Sequence, residues 1–300
     1  MKNFIIKIFV YSASRTLILI DTFFSKIFKR DGFLSEIHDI IETEQYYTKV
    51  INDEKITFFC PSKRTLSRVN SLQDKEPETI NWIDNFKLQS LKKIIFWDIG
   101  ANIGLYSIYA CTKFENIDVV SFEPSTSNTR TLSRNISINN LYDKIKIVQL
   151  PLSDRANFIS FFNETKFSEG GATSNFNSNI NYTGKIVEKN KVKNRYNIYG
   201  TKIDYLITNN ILDVPNFIKI DVDGIEHLIL NGAQYLLKDR KLKEISIEMN
   251  PSYSEQYEYI NKIMKDNGFK KIISTNARLL KNKDYKRKYN ENVNVIFKRN

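Results

Sequence analysis

The stretch from Ile94 to Gly104 constrains the fold of this chain more than any other part of it. It reads Ile-Ile-Phe-Trp-Asp-Ile-Gly-Ala-Asn-Ile-Gly, an apolar run that ends in an acid and a turn with two glycines. The apolar run suits a parallel strand buried on both faces, and Leu105, Ile108 and Tyr109 then follow at helical spacing. Glycines let the backbone come close to a bound molecule. The pattern therefore predicts a strand that leads through a ligand-binding turn into a helix, at the carboxyl edge of an α/β sheet.

The glycine spacing narrows the class of ligand. A dinucleotide site needs G-x-G-x-x-G, and a phosphate-binding loop needs G-x-x-x-x-G-K-[ST]. Gly100 and Gly104 fit neither pattern, and no lysine follows in the turn, which disfavours a pyrophosphate or triphosphate. A second apolar run, residues 118–122, ends at Glu123, whose carboxylate can accept both hydroxyls of a ribose. An adenosine ligand without phosphates is predicted, and S-adenosylmethionine fits; the alternative is a helix cap with two acids at strand ends by chance.

Four segments resemble the FkbM family of S-adenosylmethionine-dependent methyltransferases: Phe96–Gly104, Ser121–Ser125, Leu152–Asp154 and Ile218–His227. The resemblance covers roughly residues 92–250. It implies the Rossmann-like class I methyltransferase fold and transfer of a methyl group, commonly to a hydroxyl of a sugar or natural product. One departure is Asp223, which stands where the family pattern K-I-D-V-E-G has glutamate and so shortens the reach of the carboxylate by one methylene.

The turn and the resemblance together predict the residues that bind the cofactor. Glu123 is predicted to hold the ribose, and resemblance to the family's Leu-Ser-Asp segment implies that Asp154 lies beside the adenine. The predicted cofactor site comprises Asp98, Gly100, Asn102, Gly104, Glu123 and Asp154.

Titratable residues cluster after the predicted fourth strand. Asp221 ends the apolar run 217–220, and Asp223 precedes a helix whose first turn contains His227. His227 suits a general base at neutral pH, although it lies on a helix that must also pack. Alternatively, Asp221, Asp223 and Glu248 hold a divalent cation that acidifies the acceptor hydroxyl, or the acids only cap helices. The predicted catalytic residues are Asp221, Asp223, His227 and Glu248.

The order of predicted elements indicates the fold class. Predicted strands are 94–98, 118–122, 145–149, 217–221, 243–249, 269–274 and 292–298, and predicted helices are 104–113, 126–139, 225–237 and 253–267. Helices between strands require parallel pairing with right-handed crossovers. We therefore expect an α/β fold with a doubly wound, mostly parallel seven-stranded sheet in residues 92–300.

A long insertion separates the third and fourth predicted strands. Residues 150–215 far exceed a normal connection, so they are predicted to build contacts with the substrate. Within them, residues 158–162 predict a short strand and residues 169–175 an exposed loop. The predicted substrate residues in that loop are Gly170, Gly171 and Ser174.

The N-terminal third carries two further predicted parts. Residues 1–30 predict a basic amphipathic helix, and residues 31–91 a substrate-side cap with a strand at 56–60 and a helix near 78–88. In residues 1–30 no apolar run reaches a membrane span and no cleavage site follows. The helix is predicted to lie on an anionic membrane surface, or to pack on the enzyme's own core or a second subunit.

Charge and cysteine content limit the function classes. The net charge of +11 is spread along the chain, sharpest at residues 281–288 and in the first thirty, and is interpreted mainly as solvated surface. Cys60 and Cys111 lie on unrelated segments without C-x-x-C, which argues against a disulfide framework or a zinc site. A cytoplasmic location is predicted, with a peripheral position on the inner face of the membrane as an extension.

The sequence leaves the methyl acceptor open. O-methylation of a hydroxyl on a sugar, glycan or small natural product is predicted, since the tyrosines and asparagines of the insertion suit hydroxyl-rich ligands. Asn250-Pro-Ser-Tyr253 resembles the signature of nucleic acid base methyltransferases, but Ser252 breaks it and it follows the fifth strand instead of the fourth. A third alternative is a non-catalytic cofactor-binding or membrane-docking partner of a glycan assembly system.

Overall fold

The computed structural model describes residues 2–29, 32–86, 93–274 and 292–299. The chain forms two units, residues 1–46 and 47–300. The first unit contains α1 (Lys2–Phe28) and α2 (Phe33–Thr43). The backbone N–H of Leu34 donates to Asp21 over 3.1 Å, and the rings of Phe24 and Phe33 stack, so α2 packs against α1. Among the described residues, no helix has the length and apolar character needed to cross a membrane.

A seven-stranded sheet organises the second unit and confirms the predicted fold class. Its strands are β3 (Ile94–Ile99), β4 (Ile117–Phe122), β5 (Ile145–Val148), β9 (Phe217–Ile220), β10 (Glu244–Met249), β11 (Phe269–Ser274) and β12 (Val293–Arg299). Their order is β11-β12-β10-β9-β3-β4-β5. β12 runs antiparallel to both of its neighbours, β10 and β11, whereas the pairs β10–β9, β9–β3, β3–β4 and β4–β5 are parallel. The sheet is therefore doubly wound and mostly parallel, with β3 and β9 adjacent at its centre.

Alternating side chains of β3 divide the core between the two faces of the sheet, since successive residues of a strand point to opposite sides. Trp97 and Ile99 join the core on one face, with α8 (Ile203–Thr208), α9 (Glu226–Asn231) and α10 (Ser254–Asp266). Phe96 joins the core on the other face, with α6 (Leu105–Lys113) and α7 (Thr126–Ile138). Both faces are covered, which explains the nearly continuous apolar character of this strand.

The segment that precedes the sheet in the chain packs against the sheet through aromatic rings. It comprises a hairpin of β1 (Tyr46–Ile51) and β2 (Glu54–Phe59), followed by α3 (Lys63–Asn70), α4 (Leu72–Lys75) and α5 (Pro77–Asp84). Phe86 stacks on Phe217 at 3.9 Å between ring centroids, and Trp82 meets Phe96 edge to face. The predicted helix near 78–88 thus ends at Asp84, and its last two residues lie outside the described residues.

The insertion folds into a small sheet of its own. Strands β6 (Phe158–Glu164), β7 (Ser174–Phe176) and β8 (Asn194–Gly200) pair antiparallel in the order β7-β6-β8. The prediction that residues 169–175 form an exposed loop is wrong: Gly170 is buried and Asn175 is 3% exposed. The physical reason is that side chains of the main sheet and its helices hydrogen-bond the backbone of this loop.

The predicted continuous helix 225–237 is also wrong. The α-helix ends at Asn231, and a separate 3-10 turn covers Leu236–Lys238. Asp204 of α8 accepts the backbone N–H groups of Tyr235 and Leu236, so it starts a new turn where the sequence pattern predicted continuity. The basic run at residues 281–288 of the sequence lies outside the described residues.

Candidate active site

A cavity of about 470 Å³ lies at the carboxyl ends of β3, β4, β9 and β10. Its volume is in the range of sites for small molecules. One group of lining residues follows β3, β4 and β5: Gly100, Asn102, Glu123, Asn128 and Leu150 to Leu152. A second group is rich in acids: Glu76, Glu78, Asp221, Asp223 and Glu248.

The turn after β3 has the conformation that its glycines predict. Gly100 has φ +87°, and a Cβ there would lie 2.0 Å from the backbone oxygen of Asp221, so only glycine lets β3 and β9 end this close together. The backbone N–H of Asn102 donates to Glu123 over 2.8 Å. Gly104, also at φ +87°, lies outside the cavity lining and instead begins α6 against Leu132.

Glu123 is a buried acid with acceptor capacity on the cavity side. It is 4% exposed and accepts two backbone N–H groups, from Asn102 at 2.8 Å and Ser125 at 2.9 Å. Burial raises the pKa of its carboxyl to about 8. When this carboxyl is ionised, each of its oxygens keeps a further lone pair, which fits a ligand that offers two hydroxyls side by side.

Two predicted cofactor acids do not reach the cavity. Asp98 is fully buried and accepts a hydrogen bond from Ser107 of α6 at 2.7 Å, so it ties the strand to the helix. Asp154 has a side chain 39% exposed and lies 3.9 Å from Arg155. The cavity is lined at that point by Leu150 to Leu152 instead.

The acidic group contains a residue that the sequence did not indicate. Carboxylate oxygens of Glu76, Asp221 and Glu248 all lie within 4.8 Å of one another. Glu76 immediately precedes α5, far from the other two in sequence, and no motif or spacing marks it. Asp223, predicted to share a cation with Asp221 and Glu248, is not part of this trio.

Two lysines pair with the trio. Lys219, 1% exposed, places its ammonium 2.5 Å from Asp221 and lies over the ring of Tyr106. Lys75 lies 2.6 Å from Glu76. Burial by itself would raise the pKa of Asp221, but the charges of Lys219, Lys75 and Arg68 and the hydrogen bond from Lys219 together outweigh it and lower that pKa to about 2. Burial, followed by the charge of Asp221, raises the pKa of Glu248 well above its usual value.

Asp223 holds the loop that carries the predicted substrate residues. Its carboxylate accepts the backbone N–H groups of Thr173 at 2.5 Å and Ser174 at 3.1 Å. Burial and the charge of Asp221 raise its pKa to about 6. Gly171 and Ser174 line the cavity, whereas Gly170 lies behind it against the side chains of α3.

His227 faces away from the cavity. Its Nδ1 accepts a hydrogen bond from the side-chain amide of Gln256 at 2.8 Å, and its ring meets Tyr259 edge to face. Both partners belong to α10, and burial lowers the pKa of the imidazole. The cavity is lined by Ile225 and Ile229, whose positions on the helix explain why the intervening His227 points elsewhere.

Comparison with known proteins identifies the type of domain. A family model described as the Methyltransferase FkbM domain matches residues 98–271, more than half of the chain. Methyltransferase sdnD of Sordaria araneosa is 39% identical over 59 residues, which cover 20% of this chain and 23% of that protein. The chain therefore matches less than a quarter of that relative.

Two solved structures are similar at low sequence identity. Methyltransferase FkbM from Methylobacillus flagellatus KT is 17% identical with a TM-score of 0.42, over 79% of this chain and 55% of that one. Precorrin-6y C5,15-methyltransferase from Geobacter metallireducens GS-15 is 14% identical with a TM-score of 0.40, over 74% of this chain and 86% of that one. Neither similarity is close enough to bear on the substrate.

Proposed function

The chain belongs to the FkbM family of S-adenosylmethionine-dependent methyltransferases, and we propose that it methylates a hydroxyl oxygen of a sugar, glycan or small natural product. The observation that carries this proposal is that Glu123 and the trio of Glu76, Asp221 and Glu248 line one cavity. A ribose acceptor and a polar group able to receive a hydroxyl proton are the two things that the reaction requires in one place.

The residues present fit the cofactor. We assign the ribose to Glu123, whose oxygens retain lone pairs beside the cavity, and we place the neighbouring backbone of Gly100 and Asn102 against the rest of the molecule. When bound, S-adenosylmethionine supplies an electrophilic methyl group. The predicted role of Asp98 becomes that of a support for the turn, and the adenine is assigned to Leu150 to Leu152 instead of Asp154.

Asp221 is the residue that we assign to the acceptor hydroxyl. Lys219 keeps it ionised, so it accepts a hydrogen bond from the hydroxyl and orients the oxygen. A carboxylate with so low a pKa cannot deprotonate a free alcohol. It can take the proton as the new C–O bond forms and the C–S bond breaks, because the methylated oxygen is then far more acidic.

Asp223 acts on the substrate side through the loop 171–174, which it holds by two backbone hydrogen bonds. His227 lacks the geometry of a base, since its ring is bonded to Gln256 outside the cavity. The predicted divalent cation would have to displace Lys219 and Lys75 from Asp221 and Glu76. We propose that these lysines supply the positive charge instead.

Neither alternative function class gains a comparable observation. Asn250 accepts the backbone N–H of Ser252, and the Asn250–Tyr253 segment lies outside the cavity lining, so it is not placed to hold a nucleic acid base. A non-catalytic cofactor-binding protein would not need the buried Lys219–Asp221 pair beside the cofactor site. The hydroxyl methyltransferase is therefore the function that we propose.

We further propose that α1 attaches the enzyme to the anionic inner face of a membrane. Its exposed apolar side chains include Phe4, Ile5, Phe9, Leu19 and Phe23. From residue 2 to residue 28 Asp21 is the only acid, while Lys2, Lys7, Arg15 and Lys26 are basic. Exposed aromatic and aliphatic groups together with lysine and arginine are the features of an interfacial helix.

Methyl transfer from ¹³C-methyl-labelled S-adenosylmethionine to a panel of glycosides and hydroxylated natural products tests the proposed reaction. An O-methyl carbon signal in the product is expected. Asp221→Asn should lower turnover by about a hundredfold or more with little change in cofactor affinity. Asp143→Asn, an exposed acid outside the cavity, is the matched control. A labelled methyl group attached to nitrogen or carbon of the product, or full activity of Asp221→Asn, would contradict the proposal.

A further inference from the structure

One wall of the cavity is built by segments that flank the family domain. Glu76 and Glu78 precede the matched residues 98–271, and Asn292 and Asn294 follow them, yet all four line the cavity. The pairing of β10 with β12 sets Asn294 opposite Glu248. This wall is therefore peculiar to the accessory parts of the chain, where an enzyme can vary its acceptor without changing its cofactor site.

Glu78 and Asn294 are joined to each other across this wall. The amide nitrogen of Asn294 donates to Oε1 of Glu78 over 3.0 Å. Asn294 is 4% exposed. The second oxygen of Glu78 and the side-chain oxygen of Asn294 are both buried and have no hydrogen-bond partner in the described part of the chain.

These two orphan atoms are both acceptors. A buried acceptor without a donor is costly, and native proteins rarely leave one unless a ligand or water completes it. Two hydroxyls, or one protonated amine, can satisfy both oxygens, because a hydroxyl donates one hydrogen bond and an ammonium group up to three. A phosphate or carboxylate cannot, since when ionised it has only acceptors to offer.

The charge of the lining points the same way. Six carboxyl side chains line the cavity, against two basic side chains, Arg68 and Lys75. Lys75 is paired with Glu76, and Nε of Arg68 donates to the backbone oxygen of Gly170 at 2.7 Å. An anionic group placed at this wall would meet repulsion from the carboxylate of Glu78.

We infer that Glu78 and Asn294 select an acceptor whose ring presents hydroxyl or amino donors and no anionic group at this wall. The inference rests on the proposed function, because it places the acceptor in the same cavity as the cofactor. It narrows the acceptor class from any hydroxyl compound to a neutral or amino-bearing polyol.

Saturation-transfer NMR on the full chain loaded with S-adenosylhomocysteine tests this with four matched probes: methyl glucoside, glucosamine, glucuronate and glucose 6-phosphate. Saturation of methyl glucoside or glucosamine, with none for the two anions, is the expected result. A stronger saturation-transfer signal for glucosamine than for methyl glucoside would indicate that the wall binds an amino group. Equal signals would indicate that it binds hydroxyls. Binding of the anions as strong as that of the other two, or saturation of none of the four, would overturn the inference.

Two variants locate the effect at the wall. Glu78→Gln keeps the shape and the bond from Asn294, and should weaken glucosamine binding by about tenfold through loss of a charge-assisted hydrogen bond. Asn294→Ser should weaken both accepted probes. Glu115→Gln, the same charge change at an exposed site, should change neither. Unchanged binding in Glu78→Gln and Asn294→Ser would also overturn the inference.

Calorimetry with S-adenosylhomocysteine separates this inference from the proposed function. Intact cofactor-product affinity with no binding of the hexosides overturns only the assignment of the wall. Absence of S-adenosylhomocysteine binding overturns the proposed cofactor site.

Discussion

The ammonium group of Lys219 lies 2.5 Å from the carboxylate of Asp221, two residues further along the chain, and the lysine is 1% exposed. Lys219 is in β9 and Asp221 follows its end, so both side chains point to the same side. A buried ammonium is stable only with such a partner. The pair therefore supplies the cavity with a fixed negative group whose counter-charge belongs to the protein.

Chelation is expected to leave the enzyme active for this reason. With EDTA in the assay, turnover should stay within about twofold of the untreated value, because Lys219 and Lys75 already neutralise the acids that a cation would use. Radiolabelled methyl transfer measures this. A loss of activity that Mg²⁺ or Mn²⁺ restores would instead establish a cation at Glu76, Asp221 and Glu248.

Glu123→Ala is expected to weaken cofactor binding. The variant removes the acceptor of two ribose hydroxyls and leaves them unpaired in a buried site, which costs roughly 1 to 3 kcal/mol. Calorimetric titration with S-adenosylmethionine measures the change, and Glu115→Ala is the exposed control. Affinity equal to that of the wild type would show that the ribose lies elsewhere.

His227→Ala is expected to affect the fold more than the reaction. Gln256 loses one acceptor, so the free energy of unfolding should fall by about 1 kcal/mol, while turnover changes by less than about threefold. Urea denaturation and steady-state kinetics give the two numbers. A hundredfold loss of turnover in a folded variant would restore His227 to the role of general base.

Stability should fall as pH rises through 8. Burial raises the pKa of Glu123 and Glu226 to about 8, and a carboxyl with a raised folded-state pKa stabilises the fold only while protonated. Between about pH 7 and 9 the free energy of unfolding of the cofactor-free protein should drop by roughly 1 kcal/mol per group. Urea titrations at both pH values measure it, and Glu123→Ala should halve the drop. Stability that rises over this window would be inconsistent with buried, protonated carboxyls.

Flotation with liposomes tests the role of α1. The full chain should float with anionic vesicles and detach as salt rises, because the attraction of lysine and arginine is screened. Deletion of residues 2–28, or charge reversal at Arg15 and Lys26, should abolish flotation without changing cofactor affinity. Equal binding to neutral vesicles, or none, would favour packing of α1 on protein.

Contiguous residues determined the main features of the fold. The alternation of apolar runs and helical spacing predicted all seven strands of the main sheet, because each strand and each crossover helix is encoded over a few neighbouring residues. The glycine turn and the acids at the ends of β4 and β9 were placed at the cavity for the same reason: parallel strands end at one edge of the sheet.

The sequence showed that His227 lies on a different face of its helix from Ile225 and Ile229, but it did not show which face lines the cavity. His227 is two residues from both Ile225 and Ile229, a spacing that puts it on a different face of the helix. Only the fold shows that the isoleucines, and not the histidine, face the cavity. Likewise, only the fold shows that Asp154 remains at the surface while Leu152 reaches the cavity.

The cavity wall that contains Glu76, Glu78 and Asn294 was decided by tertiary structure alone. Glu76 and Glu78 meet Glu248 and Asn294 because α5 packs on the sheet and β12 pairs with β10, contacts between segments far apart in the chain. Spacing along a sequence carries no information about such meetings, since they depend on how separate elements pack. The sequence by itself therefore determined the fold, the edge of the sheet at which the cavity lies and the position of Asp221, whereas the charged surroundings of Asp221 and the wall formed by Glu78 and Asn294 arise only when distant segments pack together.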